Sequence, residues 1–172
     1  MLLLFVLPDK GICYNEKGEN MKIRDYLFII LLIVIDQLTK LYISSVMTLG
    51  QSIRVITDFF YITSARNTGA AFSILEGQKY FFIASALLAV AAIIWYLNKN
   101  SCSFWEKLGL MLIASGAVGN VIDRIRFSEV IDFLDFYIFG YDFPIFNFAD
   151  CCITVGAAIV VLSVLLERKK EA

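Results

Sequence analysis

The sequence of 172 residues contains no histidine. Histidine is the usual partner of a catalytic serine or cysteine and the commonest metal ligand, so Ser-His catalysis, Cys-His catalysis and His-ligated metal sites are excluded. The four cysteines, Cys13, Cys102, Cys151 and Cys152, form no C-x-x-C pair or other zinc-like spacing. We expect them to pack as small apolar side chains, and we predict neither a metal nor a cofactor.

An excess of charge of either sign is also lacking. The chain has 15 basic and 16 acidic residues, and no basic stretch carries the interleaved aromatic residues typical of nucleic-acid binding. A nucleic-acid partner is therefore not expected. Apolar residues dominate instead, at 59% of the chain with a mean hydropathy of +0.75, against roughly 45–50% in soluble domains. This composition predicts an all-α membrane protein whose solvent is the lipid bilayer.

Four apolar segments, residues 26–43, 80–97, 108–122 and 151–166, predict four transmembrane helices. Each has 15 to 18 residues, slightly fewer than the roughly 20 needed to cross the hydrocarbon core. The ends of the third and fourth segments should therefore reach the membrane edge, which places Asp123 and Asp150 near the lipid headgroups. No repeat or linker divides the chain, so we expect one domain. We also expect the protein to be a monomer.

Residues 1–20 precede the first apolar segment. Their short apolar run lacks a basic n-region and makes a poor signal peptide, whereas Met21, followed by Lys22 and Arg24, resembles a second start. We interpret residues 1–20 as an N-terminal extension or a misassigned start. Residues 21–172 then form a single four-span domain.

The distribution of lysine and arginine predicts the orientation of the helices. Basic residues are dense before the first segment, between the second and third, and after the fourth, so the positive-inside rule predicts that both termini are cytoplasmic. The long connections, residues 44–79 and 123–149, would then face outward. In the first of these, β-branched and aromatic residues alternate in part and predict a small sheet on the outer membrane surface: Ile53, Val55, Phe59, Tyr61 and Thr63.

Polar residues within the apolar segments are the first candidates for function, because a charge in a membrane span is costly. Asp36 and Lys40 lie four residues apart and share a helix face. They form either an internal ion pair that permits burial or a support for a reactive site. In the third segment, Gly116 and Gly119 favour close helix packing, and Asn120 shares a face with Asp123 and Arg124: we favour a polar network over a simple packing seam.

Two acidic stretches follow, EVIDFLDF with Asp132 and Asp135, and FNFAD with Asn147 and Asp150. If the third and fourth segments run antiparallel, Asp132 and Asp150 can converge at the outer interface. Two close carboxylates cannot both ionise cheaply, so one retains a proton as general acid while the other activates water. A proton- or cation-coupled transporter, a non-catalytic scaffold and a serine peptidase with Lys40 as base remain alternatives.

Five runs of residues resemble, in order, the motifs of the bacterial lipoprotein signal peptidases, or signal peptidase II. They are DQLTK (36–40), RNTGAAFSIL (66–75), GAVGNVIDR (116–124), EVIDFLDF (129–136) and FNFAD followed by ITVG (146–156). The resemblance covers about Met21 to Leu166. It implies an aspartyl endopeptidase of the bacterial cell membrane that removes signal peptides from diacylglyceryl-modified prolipoproteins, cleaving on the N-terminal side of the lipidated cysteine.

The resemblance also assigns residues. It implies that Asp132 and Asp150 are catalytic, and that the supporting or substrate-binding residues are Asp36, Lys40, Asn67, Gly69, Asn120, Asp123, Arg124 and Asn147. It further implies an extracytoplasmic β-cradle that holds substrate, an active site on the same side, and inhibition by the cyclic peptide antibiotic globomycin. Ser128 departs from the family pattern, which commonly has glycine there, and this departure puts the local turn geometry in question.

Overall fold

A computed structural model of the protein describes residues 21–69 and 77–171, without the side chains of residues 167–171. The predicted N-terminal extension and the end of the RNTGAAFSIL motif lie outside the described residues. The elements in chain order are α1 (Ile23–Val46), β1 (Ser52–Ile56), β2 (Phe60–Asn67), α2 (Lys79–Lys99), α3 (Phe104–Phe127), β3 (Val130–Ile138), β4 (Tyr141–Asp142) and α4 (Phe148–Glu171).

Within the described residues, four helices are long and apolar enough to cross a membrane, which confirms the predicted four spans. The predicted segments were too short, because charged residues at their ends also lie in the helices. Lys107 belongs to the first turns of α3, where its Nζ lies 2.5 Å from Asp25 Oδ2 of α1. At the other end, Asp123 lies within α3, and Asp150 lies in the first turn of α4.

The helices expose apolar side chains and bury polar ones. Leu88 is 73% exposed, whereas Asp36 and Lys40 are 1% exposed. This distribution is expected where lipid surrounds the helices, since buried charges must then find partners inside the bundle.

Helix α3 packs against each of the other three helices. Its contact with α4 depends on glycine, because a Cβ atom on Gly109 would lie 2.7 Å from the carbonyl oxygen of Gly156. Small residues thus allow the two backbones to approach closely.

The four strands form one antiparallel sheet in the order β1-β2-β3-β4. The sheet predicted in the first connection is confirmed, and the second connection adds β3 and β4, which the sequence analysis did not predict. Residues 130–133 of β3 are all buried, so this strand lacks the polar-apolar alternation that marks a half-exposed strand. In the register of β2 and β3, Ala65 lies opposite Asp132 and Asn67 lies opposite Val130.

The sheet is joined to the helices by apolar packing and by a tight turn. Phe133 of β3 packs in a cluster with Ile43 and Met47 at the end of α1. Ser128 ends α3 in the left-handed conformation, with φ of 66°, and its N–H donates to the Arg124 carbonyl oxygen at 3.1 Å. Glycine is favoured at such helix ends, which gives a physical reason for the family glycine at this position. Ser128 keeps the same turn, and β3 begins two residues later, at Val130.

Candidate active site

Lys40 is the hub of a buried ion network. Its Nζ lies 2.9 Å from Asp36 Oδ2 and 2.9 Å from Asp123 Oδ2, and donates to Asn120 Oδ1 at 3.0 Å. An ammonium group has three donors, so these partners satisfy it fully. The predicted internal ion pair of Asp36 and Lys40 is therefore observed, and Lys40 also contacts two polar residues of α3.

The two carboxylates of this network also hold the backbone of other elements. Asp36 Oδ1 accepts the N–H of Ala149, in the first turn of α4, at 3.0 Å. Asp123 Oδ2 accepts the N–H of Ile131, beside Asp132 in β3, at 3.2 Å. The network therefore positions the backbone next to both predicted catalytic aspartates.

Asp150 is held by a reciprocal cap at the start of α4. Its backbone N–H donates to Asn147 Oδ1 at 3.0 Å, and its Oδ2 accepts the backbone N–H of Asn147 at 3.2 Å. This exchange between residues three apart is a capping box, which satisfies two donors that a helix N-terminus otherwise leaves free. Its other oxygen, Oδ1, accepts from Asn120 Nδ2 at 2.8 Å. The Asp150 carboxylate is therefore fixed by both α3 and α4.

Asp132 lies in β3 and is 2% exposed. Asn147 Nδ2 donates to its Oδ1 at 2.6 Å, and Asn67 Nδ2 of β2 donates to its Oδ2 at 3.1 Å. Asn147 thus contacts both aspartates, one through its side-chain amide and the other through the helix cap. The convergence of Asp132 and Asp150 predicted from the sequence is observed.

Burial and, next, the charge of Asp150 raise the pKa of the Asp132 carboxyl to about 7. The hydrogen bonds from Asn67 and Asn147 act in the opposite direction, because they stabilise the carboxylate. A carboxyl group with this pKa is partly protonated at neutral pH, so it can donate a proton there.

Arg124 and Gly69 lie at the edge of the pair of aspartates. Arg124 Nη2 donates to the Gly69 carbonyl oxygen at 2.9 Å, and its guanidinium carbon lies 4.8 Å from the ring centroid of Phe82. The Gly69 N–H donates to Asn67 Oδ1 at 2.9 Å. Arg124 therefore links α3 to the end of β2, at the point where Asn67 approaches Asp132.

The aspartates open into a cavity of about 810 Å³. Its wall is formed by the end of β2, the start of β3, the Phe143–Phe146 segment and the first turns of α4. A smaller cavity of about 350 Å³ lies between α2, α3 and α4 and is lined by the same Asn120, Arg124 and Asp150. The larger space is in the size range of ligand pockets, and both carboxylates reach it.

All ten residues assigned by the family resemblance lie in one connected network of hydrogen bonds and ion pairs. Gln37 also belongs to this network, although the motifs did not assign it to the site: its Nε2 donates to Asp36 Oδ2 at 3.1 Å, to Asp123 Oδ1 at 3.0 Å and to the Gly119 carbonyl oxygen at 3.2 Å. An amide within an apolar span was the available signal. Gly119 has a further role, because a Cβ atom there would lie 2.5 Å from Asp36 Oδ2.

Comparison with known proteins identifies the family. A family model described as signal peptidase (SPase) II matches residues 28–166. The chain belongs to this family. The lipoprotein signal peptidases of two Staphylococcus aureus strains, bovine RF122 / ET3-1 and JH9, are each 40% identical over 148 residues, or 84% of this chain and 91% of theirs.

Two bacterial membrane enzymes solved by the in meso method have the same fold. One has a TM-score of 0.84 and 34% identity, covering 92% of this chain and 97% of its own. The other has a TM-score of 0.78 and 36% identity, covering 88% and 98%. The protein is therefore a peptidase, hence a hydrolase, with the helices of a multi-pass membrane protein. Family membership decides against the transporter and scaffold hypotheses.

Proposed function

We propose that this enzyme removes signal peptides from diacylglyceryl-modified prolipoproteins, and that Asp132 and Asp150 are its catalytic pair. The observation that carries the proposal is the shared cavity: two carboxyl groups, linked through Asn147, line one space large enough for a peptide. Cleavage occurs on the N-terminal side of the lipidated cysteine, as in the family. Globomycin is expected to occupy the same cavity and to inhibit the reaction.

One carboxyl group acts as general base and the other as general acid. Asp150 lies at the N-terminus of α4, where the helix dipole favours negative charge, and its carboxylate accepts the backbone N–H of Asn147 and the side-chain amide of Asn120. It takes a proton from a water molecule, whose oxygen attacks the scissile carbonyl carbon. Asp132 gives its proton to the carbonyl oxygen. When the C–N bond breaks, Asp150 gives its proton to the leaving amine nitrogen, while Asp132 takes a proton back from a hydroxyl of the tetrahedral diol as the carboxyl product forms, so the pair is again singly protonated.

The other residues of the network hold the two aspartates in position. Lys40 and its two carboxylates fix the backbone beside each aspartate, and Asn120 fixes the Asp150 side chain. Arg124 supplies a positive charge at the cavity wall, where it can face a substrate carbonyl oxygen. These roles require no cofactor.

The proposed substrate carries a diacylglyceryl group, and we expect efficient cleavage to require it. Burying an acyl chain gains about 0.8 kcal/mol per CH₂ group, so two chains can hold the cysteine at the depth of the aspartates when peptide contacts are few. We expect one prolipoprotein to be cleaved before its cysteine with the diacylglyceryl group, and at least about 10-fold more slowly without it. Purified enzyme in detergent, at equal substrate concentrations, provides the measurement. Equal rates for the two forms would mean that lipid does not set the cleavage position.

The active site is proposed to face outward, with both termini in the cytoplasm, from the density of basic residues in the short connections. A reporter fused after Ala172 should then be cytoplasmic. Ser52→Cys, at the exposed start of β1, should react with a membrane-impermeant maleimide in intact cells, and the unsubstituted protein is the control. An external C-terminal reporter, or an introduced cysteine that reacts only after the cells are permeabilised, would refute this orientation.

Activity should decline as pH rises through the pKa of Asp132. Ionisation near pH 7 leaves both carboxyl groups charged and removes the general acid, so kcat/KM should fall on the alkaline side with a midpoint near neutrality. A pH profile of cleavage in detergent tests this expectation. Full activity maintained about two pH units above neutrality would contradict a protonated Asp132.

Stability needs a parallel measurement, because the same ionisation affects folding. The folded-state pKa of Asp132 lies above the ordinary value of 3.8, so the folded protein binds this proton more tightly and loses stability as pH rises from that value to about 7. Circular dichroism at each pH separates loss of the acid from unfolding. The activity midpoint should appear while the helical signal is unchanged.

A further inference from the structure

The end of the sheet remote from the aspartates is an apolar surface made by two neighbouring turns. The carbonyl oxygen of Phe59, in the β1–β2 turn, accepts the N–H of Tyr137 at 2.8 Å, which brings this turn beside the β3–β4 turn. We define the distal patch as Ile56, Phe59, Ile138, Phe139 and Tyr141, whose exposed fractions range from 42% to 106%. Single exposed apolar residues are ordinary, whereas a contiguous group marks a binding surface.

Phe139 is the most unusual member of the distal patch. It is 106% exposed, and its φ of 52°, followed by a φ of 80° at Gly140, forms a tight two-residue hairpin turn. Asparagine or glycine is favoured in such turns, because a larger side chain is strained there. Its ring touches nothing that could offset this strain within the described residues. A binding partner that surrounds the Phe139 ring would compensate for the strained turn and would cover the exposed apolar surface.

The charges at this end favour lipid over a second copy of the chain. Asp58 is the charged residue of the β1–β2 turn. Asp142, in β4, is the charged residue next to the β3–β4 turn. Pairing two copies through the distal patch would bring these acidic groups together. A lipid surface presents no such repulsion when it is zwitterionic, and aromatic rings are enriched at the boundary between headgroups and acyl chains.

The connection to the helices places the sheet next to the membrane. Strand β3 begins three residues after α3 ends, and α4 begins six residues after β4 ends. Both attachments are ends of membrane-spanning helices. From Asp132 to Ile138 the strand extends about 20 Å. A sheet of this length that lies along the membrane surface has its remote end over lipid.

We propose that the distal patch inserts into the headgroup–acyl boundary of the same membrane, with Phe139 as the leading side chain. Strand β3 is then held at both ends, by α3 at one and by lipid at the other. The depth of Asp132 relative to the bilayer is fixed as a result. This last consequence rests on the proposed function, whereas the insertion itself does not.

The test uses tryptophan as a depth probe in nanodiscs. Trp95 and Trp105 are replaced by phenylalanine, and Phe139→Trp supplies a single fluorophore. Zwitterionic lipids brominated on the acyl chains should quench its emission at least about twofold relative to unbrominated lipids, while aqueous acrylamide quenches it weakly. Tyr141→Trp gives a second probe if the first variant does not fold.

The outcomes separate the possible occupants. Strong acrylamide quenching without bromolipid quenching would show a patch in water and overturn the proposal. Shielding from both quenchers would indicate a protein–protein contact and overturn it as well. Phe139→Asn, which suits the turn, should keep thermal stability in detergent and raise KM for the lipidated substrate in bilayers, by about threefold or more. If the unsubstituted enzyme cleaves no prolipoprotein, the proposed function fails, but the quenching result still decides the insertion.

Discussion

Replacing either Asp132 or Asp150 with asparagine should lower kcat by at least about 100-fold, the contribution of one general acid or base, and further if the two act as a unit. Asparagine keeps the shape of the side chain and one acceptor oxygen. Each variant therefore leaves one N–H donor without its acceptor, at a cost of about 1–3 kcal/mol, and should remain folded and inserted in the membrane. Single-turnover cleavage of a lipidated prolipoprotein measures the chemical step.

Asp135→Asn is the matched control. Asp135 lies in the same strand and is 5% exposed, and its carboxylate accepts from Thr63 Oγ1 at 2.5 Å instead of contacting the dyad. The same substitution there should leave kcat within about threefold of the unsubstituted enzyme. Near wild-type turnover by Asp132→Asn or Asp150→Asn would disprove the assignment of the pair.

The sequence was sufficient for the spans but not for their ends. Apolar runs predicted four helices, while the ends were hidden by charged residues such as Glu106 and Lys107, which are buried in α3. A hydropathy pattern treats such residues as boundaries. Tertiary contacts, of Lys107 with Asp25 and of Glu106 with Tyr96, explain why the helix can contain these charged residues.

Strand β3 was missed for a related reason. The run VIDFLDFYI contains β-branched and aromatic residues, but residues 130–133 are buried on both faces. Burial on both faces removes the alternation that identifies half-exposed strands. The acidic residues of this run were interpreted as candidates for catalysis. The sequence pattern alone did not distinguish a strand from a loop.

The residues of the candidate site were easier to predict from the sequence than the contacts among them. Motif resemblance assigned all ten, and the spacing of Asn147 and Asp150 is that of a capping box, so this local contact was within reach of the sequence. The contact between Lys40 and Asp123, which are far apart in the chain, depends on how α1 packs against α3. No local pattern encodes that packing.

Lys40→Met should destabilise the folded protein by about 3–5 kcal/mol, because it leaves the buried carboxylates of Asp36 and Asp123 without their cation. Both carboxylates are at most 2% exposed, so water cannot replace the lost partner. The backbone beside each proposed catalytic aspartate loses its support at the same time, and cleavage should decline with stability. Thermal unfolding in one detergent measures the first effect, and prolipoprotein cleavage measures the second.

A triple variant distinguishes unpaired charge from lost geometry. Asp36→Asn, Lys40→Met and Asp123→Asn together remove all three charges, and a buried ion network replaced as a whole is often neutral in stability. The asparagine oxygens can still accept the N–H groups of Ala149 and Ile131, so much of the lost stability and part of the activity should return. If Lys40→Met alone is as stable as the unsubstituted protein, then the two carboxylates must share a proton in its absence, and Lys40 does not hold the bundle together.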